Sequence, residues 1–311
     1  MILSIIIPVF NSERYLGRCL KSVFRAIALS HDDVEVILVD NGSSDSSLKI
    51  AHEYLEKTPL RAQILRCKAP GAAAVRNYGI KHAKGAYVWF IDADDEIAPS
   101  SIKKLLKIAK ESTPDLIMMG AKRIYPDGHT DDLTAVDPGS PDYKSRFVRY
   151  GAGPWQFLIS RRWWEQNRFA FKEGIIHEDM EMISSLILYT DNFKALKEPV
   201  YLYYQNPDSV LHKDKWDPHY LDIFEALEGL RRRFSEKNAL EEYKDELEWF
   251  FIWNLLVDSA KDFKKFKEGR KGLRRSRKML KKYYPSWRKN QFLKAKPLKL
   301  RLRVRLNYYM V

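Results

Sequence analysis

The chain has 311 residues, enough for one large domain or one domain with an appendage, and 45% of them are hydrophobic, an ordinary share for a globular core. The formal charge of +13 is unevenly placed: residues 261–311 hold 20 Lys/Arg against 2 Asp/Glu (net +18), leaving 34 against 39 (net −5) in residues 1–260. Cys19 and Cys67 form no metal-like spacing and no disulfide framework, Met1–Pro8 is too short to span a bilayer and has no basic leader, and no other stretch reaches the apolar length of a span, so the chain is expected in the cytoplasm or on a membrane surface.

A β-rich run over residues 2–10 ends in Pro8-Val9-Phe10-Asn11. Tyr15, Leu16, Cys19, Leu20, Val23, Phe24 and Ile27 then recur at helical spacing, predicting an amphipathic helix capped by Asn11 or Ser12. A second strand, Val34 to Asp40, breaks at Asn41-Gly42-Ser43-Ser44, and a helix follows from about Asp45. A third strand near Ala62–Arg66 leads through Pro70-Gly71 into an Ala-rich helix holding Arg76 and Asn77, and a fourth strand occupies 86–91. This alternation predicts βαβ units and a mostly parallel, buried sheet, hence an α/β class. Short strands are expected at 116–119 and 123–125, a polar loop at 126–142, and a strand at 200–204. Beyond 216 the pattern predicts helices over Tyr220–Phe234, Leu240–Phe266 and Arg270–Tyr284, whereas the alternation at 298–306 also admits a strand.

The run Tyr87-Val88-Trp89-Phe90-Ile91 stops abruptly in Asp92, Asp94 and Asp95. A buried strand cannot end in unpaired carboxylates without a large desolvation penalty, so a positive partner is expected, and hard oxygen ligands suit Mg²⁺ or Mn²⁺. The plainer alternative is a solvated strand-to-helix turn in which Asp95 or a neighbour caps the next helix. A second strand also ends in a carboxylate, Asp40. Ligands of open α/β sheets bind beyond the carboxyl ends of the strands, so Pro8–Asn11, Asp40–Ser43 and Asp92–Asp94 are expected to share one rim. Neither GxxxxGK[ST] nor GxGxxG is present, so phosphate charge would be met by a metal and by basic side chains such as Arg76.

Five pieces in order, Pro8-Val9-Phe10-Asn11, Val39-Asp40-Asn41-Gly42-Ser43, Gly71 with Ala74-Val75-Arg76-Asn77-Tyr78-Gly79, Asp92-Ala93-Asp94 and Glu178-Asp179, resemble the inverting glycosyltransferases of family 2, of GT-A fold. The resemblance runs over about residues 1–215. It departs at Phe10, where Tyr is common, and at Val75, where Ala is usual, and neither change removes a charge. It implies that Asp94 ligates the metal and that Asp92, beside Ala93, contacts the ribose or the metal's water shell. Asp40 and the backbone of Pro8, Val9 and Phe10, next to Asn11, would hold the nucleoside, and Arg76 would contact nucleotide or phosphate. Asp40 could instead form a turn, and Arg76 a surface salt bridge. Asp179 is implied as the base that takes the acceptor proton, with Glu178 orienting the site, although Glu178, Asp179 and Glu181 also read as an acidic first helical turn. His212 is a candidate further metal ligand or an ordinary surface histidine; His177 is a weaker one.

The expected division is a catalytic domain over 1–215, about 1–120 binding the nucleotide-sugar and about 121–215 carrying the acceptor side and base, followed by a basic helical region over 216–311. Aromatic and leucine side chains interleave with Lys and Arg in that region. This favours an anionic membrane surface over nucleic acid, for which no reading motif is present. The implied enzyme moves a sugar from a nucleotide-sugar, UDP first, with Mn²⁺ or Mg²⁺, to a glycan or glycolipid acceptor at the cytoplasmic membrane face. Lipooligosaccharide, capsule, exopolysaccharide or a lipid-linked precursor would qualify, and a homo-oligomer stays open. The rivals are a sugar nucleotidyltransferase, which would want a basic glycine-rich loop after the first strand, and a non-catalytic nucleotide- or nucleic-acid-binding protein gripping its partner with the tail.

Overall fold

The computed structural model describes residues 1–28, 31–57, 61–151, 153–206 and 215–309. The chain forms two compact units that are not contiguous in sequence. One comprises Met1–Pro141, Gly153–Gly174 and Thr190–Ser209; the other comprises Asp142–Ala152, Ile175–Tyr189 and Val210–Val311. The tracts 142–152 and 175–189 thus lie with the helical unit, where a single break near residue 215 was expected.

The first unit is built on a sheet of nine strands among the described residues: β1 Leu3–Val9, β2 Val34–Asp40, β3 Arg61–Arg66, β4 Tyr87–Phe90, β5 Glu96–Ile97, β6 Leu116–Ile124, β7 Thr130–Leu133, β8 Phe157–Ser160 and β9 Phe193–Tyr204. Their order is β3-β2-β1-β4-β8-β6-β9-β5, with β7 on β6. β3, β2, β1 and β4 are parallel, whereas β8 is antiparallel to both β4 and β6. The first three crossovers are helices α1 (Leu16–Ile27), α2 (Ser47–Glu56) and α3 (Ala72–His82). Both faces of the central strands are covered, which is why β1 and β2 are nearly continuous apolar runs.

Alternate residues of β1 serve the two faces. Leu3, Ile5, Ile7 and Val9 join Leu16, Cys19, Leu20 and Val23 of α1 in one core, while Ile6 meets α3. The approach of α3 is close: a Cβ added at Gly79 would lie 2.5 Å from Ile6 Cγ2. After β3 the chain crosses back to place β4 on the other side of β1, so β1 and β4 flank the topological switch point.

Several local expectations are corrected. Helix α1 begins at Leu16 with no side-chain cap: Asn11 Oδ1 accepts from Ser44 N–H in the loop after β2, and the Ser12 hydroxyl donates to Phe10 O. The polar tract 126–142 contains β7, paired with Ala121–Ile124 across a turn in which Gly128 takes φ 84°. The strands expected at 116–119 and 123–125 are one strand, β6, irregular near Gly120, and β9 begins at Phe193 rather than Val200.

The second unit is helical. Helices Glu178–Ser185 and Ile223–Glu236 meet at Gly229, where only a hydrogen leaves room for the Glu181 carboxylate, itself paired with Arg233 Nε at 3.1 Å. The helix expected over 240–266 is split into Lys244–Trp253 and Ser259–Lys265 by a π turn at Asn254–Asp258. Within it Asn254 Nδ2 donates to Phe250 O (2.9 Å) and Asn307 Nδ2 to Leu256 O (2.7 Å), so side-chain amides satisfy carbonyls at and beside the irregular turn. Residues Leu298–Tyr309, which admitted a strand, are a helix whose Val304, Asn307 and Tyr308 are buried. Among the described residues no helix is long and apolar enough to cross a membrane.

Candidate active site

In the first unit, the loops after β1, β2 and β3 are laced together at the carboxyl end of the sheet. Asn11 adopts a left-handed backbone (φ 46°), and its Oδ1 accepts from the Ser44 N–H at 2.8 Å. Asn41 donates its backbone N–H to Val9 O (2.9 Å), and its side-chain amide reaches Cys67 O (3.1 Å) and Ala69 O (2.8 Å). The Asn41 Oδ1 accepts from Gly71 N–H at the start of α3 (2.9 Å). One asparagine thus ties three loops into a rim. Val9 is buried, Pro8 half-buried, and the Phe10 ring stands 56% exposed at the edge.

Asp40 is 1% exposed and accepts from Gly42 N–H (3.1 Å) and Ser43 N–H (3.0 Å), with Arg66 Nε 3.4 Å away. Its carboxylate therefore shapes the loop that Asn11 and Asn41 grip. The turn-forming alternative is present in the geometry. Arg76, on α3, is buried and points its guanidinium at Asp92 Oδ1 (3.4 Å) and at the face of Phe171. The salt bridge is there, but Arg76 is buried and not at the surface as the alternative had it, and its partner is the acidic turn itself.

That turn, which follows β4, is over-determined from three directions. Asp95 N–H closes it onto Asp92 O (3.1 Å). The Tyr201 hydroxyl, fully buried and stacked on Trp155, accepts from Asp92 N–H (3.1 Å) and donates to Asp95 Oδ2 (2.7 Å). Arg18 of α1 donates to Asp94 O (2.7 Å), pairs with Glu96 (3.0 Å) and lies 3.7 Å over the Tyr204 ring. Asn206 Nδ2 donates to Asp94 Oδ2 at 2.8 Å. Ala93, between the two half-buried carboxylates in sequence, is buried in the hydrophobic core. Arg18, Tyr201, Tyr204 and Asn206 carried no signal in the sequence. They reach the turn from 76 to 112 residues away, and neither periodicity nor a short motif spans such a distance.

Burial, with Asp92 and Asp94 close by, pushes the Asp95 carboxyl up to about 9. Burial and the same carboxylates push the Cys19 thiol well above its usual range. Asp92 and Asp94 thus gather negative charge at the turn, with the Arg76 guanidinium 3.4 Å from Asp92 Oδ1. Mg²⁺ and Mn²⁺ are commonly held by one or two carboxylates plus substrate phosphates, and Asp92 and Asp94 supply that pair, with Asp95 turned inward as a structural anchor. No group of three or more metal-binding side chains occurs among the described residues.

Glu178 and Asp179 belong to the second unit, at the start of helix Glu178–Ser185, with Glu178 buried and Asp179 half-buried. His177 precedes them in a left-handed conformation (φ 69°), and burial lowers its pKa. The acidic first turn expected of this segment is therefore present. His212 lies outside the described residues.

A mixed sheet with a parallel half and an acidic turn at its switch point is the architecture of the GT-A class of glycosyltransferase. Residues 4–170, over half of the chain, match the model of glycosyl transferase family 2, and the chain belongs to that family. Among its relatives, the uncharacterized glycosyltransferase EpsJ of Bacillus subtilis is 27% identical over 257 residues, covering 78% of this chain and 73% of EpsJ. The poly(ribitol-phosphate) beta-N-acetylglucosaminyltransferase TarS of Staphylococcus aureus is 31% identical over 121 residues, covering 39% of this chain and 21% of TarS. The crystal structure of TarS 1–349 in complex with UDP superposes with a TM-score of 0.74 at 20% identity, covering 99% of this chain and 89% of that one. The mannosyltransferase PcManGT of Pyrobaculum calidifontis, solved with GDP-Man and Mn²⁺, gives a TM-score of 0.53 at 14% identity over 98% and 86% of the two chains.

Proposed function

We propose that this glycosyltransferase is metal-dependent and inverting, and that it moves a hexosyl or N-acetylhexosaminyl unit from a UDP-sugar to a hydroxyl of a bacterial surface glycan or its lipid-linked precursor. The observation that carries the reading is the Asp92–Asp94 turn, clamped by Tyr201, Arg18 and Asn206 beside Arg76 at the switch point. UDP is preferred because the TarS complex contains it and superposes better than the GDP-Man complex. The surface-glycan acceptor is supported by the likeness to TarS, a poly(ribitol-phosphate) beta-N-acetylglucosaminyltransferase.

In this reading residues 1–120 hold the donor, 121–215 carry the acceptor side and the base, and 216–311 form an appended basic region. The exposed Phe10 ring offers a surface for the nucleobase, and the rim held by Asn11, Asp40 and Asn41 receives the nucleoside. Asp94 would hold a divalent cation, with Asp92 near the ribose or the cation's water, and the cation would supply charge neutralisation for the departing diphosphate. Arg76 adds a fixed positive charge for the phosphates. Asp179 takes the proton of the acceptor hydroxyl, and direct displacement by that oxygen inverts the sugar. Glu178 orients the site. The enzyme works at the cytoplasmic face of the membrane, where a lipid-linked acceptor is presented.

Two substitutions test the scheme. Asp94→Asn is expected to abolish Mn²⁺-stimulated UDP binding, read by calorimetry with and without the metal. Asp179→Asn is expected to keep donor binding and lower transfer by at least about a hundredfold, the lower range for a lost general base. Transfer at the parental rate by Asp179→Asn would overturn the base assignment, and metal-independent UDP affinity in the parent would overturn the metal.

A further inference from the structure

Four of the large hydrophobic side chains most exposed among the described residues sit on one helix: Leu298 (64%), Leu302 (48%), Leu306 (62%) and Tyr309 (58%). At about 100° per residue they form a stripe about 80° wide. The opposite side of the helix is buried through Val304, Asn307 and Tyr308, and Asn307 anchors it by donating to Leu256 O. The helix is therefore held by the unit on one side while its leucines face outward. By the same projection Arg301 and Arg305 flank the stripe on one side and Lys299 and Arg303 on the other.

Apolar side chains between two rows of cations are the arrangement of a helix lying in a bilayer interface. The leucines enter the acyl boundary while Lys and Arg extend to the headgroups. A second copy of the chain fits less well. A stable protein interface takes about 20–30 residues a side, and a two-fold contact here would bring like charges together. Nucleic acid would meet the cations and leave the leucines in water.

We propose that helix Leu298–Tyr309 is the membrane-contacting element of this enzyme and that its partner is a bilayer containing anionic phospholipid. The inference rests on the reading that the acceptor is presented at a membrane, and it names the element and the lipid class that bring the enzyme there.

The test is co-sedimentation of the full chain with vesicles of phosphatidylglycerol and phosphatidylcholine, and with phosphatidylcholine alone. The parent is expected to pellet with the anionic vesicles. Leu302→Gln/Leu306→Gln, which keeps good helix formers at exposed positions, is expected to weaken partition by about tenfold or more. Arg301→Gln/Arg305→Gln is expected to weaken it roughly fivefold per charge. Thermal unfolding and hydrolysis of the UDP-sugar are expected to be unchanged in both variants. Equal binding by parent and leucine variant, no binding by the parent, or equal binding to the neutral vesicles overturns the proposal. So does a leucine variant whose only change is a smaller mass in sedimentation velocity, since the stripe would then join copies of the chain. Donor hydrolysis is measured without vesicles, so failure of the transferase reading and failure of the membrane surface are separate results.

Discussion

At the scale of single residues, the acidic turn depends on groups that never touch it in sequence. Tyr201 is the clearest case, because its hydroxyl is at once acceptor for Asp92 N–H and donor to Asp95. Tyr201→Phe keeps the ring on Trp155 but leaves both groups short of a partner in a buried setting. The expected loss is about 1–3 kcal/mol in urea unfolding, the range for an unsatisfied buried polar group. Because the Tyr201 hydroxyl holds the backbone of the turn that carries Asp92 and Asp94, UDP affinity in the presence of Mn²⁺ should fall as well. A variant destabilised to that extent with undiminished nucleotide affinity would show that Tyr201 supports the fold and not the site. Asp92, Asp94, Asp40 and Arg76 were legible as candidates because each lies in a short motif at a strand end or helix start. Which of the alternatives each one takes was not legible: Asp40 makes the bonds of a loop former, and Arg76 pairs with the turn.

At the scale of elements, the site is as well placed as α3 is on β1. Gly79 sits where the two come closest, and Arg76 and Asn77 lie on the turn of α3 before it. Asn77 in turn brackets the backbone of Phe171, donating to its carbonyl and accepting from its N–H, both at 2.9 Å. Gly79→Ala should be favoured by helix propensity, yet its methyl group would meet Ile6 Cγ2, a branch that cannot swing away within a packed sheet. The net expectation is a loss of about 1–3 kcal/mol from overpacking. A lower melting temperature together with weaker UDP binding is the expected result, and a gain in stability would show that α3 can lift without penalty. The βαβ alternation of residues 1–91 was readable because β1, β2 and β4 are nearly continuous apolar runs and α1 keeps a 3.6-residue period, with β3 and α3 marked only by short apolar stretches between turn signals. Strand β7 was not, since Thr130-Asp131-Asp132-Leu133 has no apolar pattern and is a strand only through its pairing with β6. The π turn at 254–258 was hidden for a related reason: the amides that satisfy carbonyls at and beside it come from Asn254 and from the distant Asn307.

At the scale of the whole molecule, charge and chemistry are segregated along the chain. Residues 261–311 carry net +18 and the remaining 260 carry net −5, so any attraction to an anionic surface comes from the basic region. Such attraction is screened, with a Debye length of about 30 Å at 0.01 M salt and about 10 Å at 0.1 M. Partition onto anionic vesicles is therefore expected to fall steeply between 0.05 and 0.3 M NaCl, while UDP-sugar hydrolysis changes little. A flat salt profile would mean that the leucines alone carry the contact.

The sequence by itself determined the class of fold, the family and the identity of most donor-side candidates. These reside in local patterns: apolar strands, carboxylates at strand ends, and five short motifs in a recognisable order. Only the tertiary structure decided how the acidic turn is held, which loops form the rim, and that residues 298–309 are a helix with one face buried and leucines outward. Those features depend on contacts across tens to more than a hundred residues, such as Tyr201 with Asp92 and Asn307 with Leu256. A local pattern carries no information about which distant group will satisfy a backbone N–H, because the choice is made by packing.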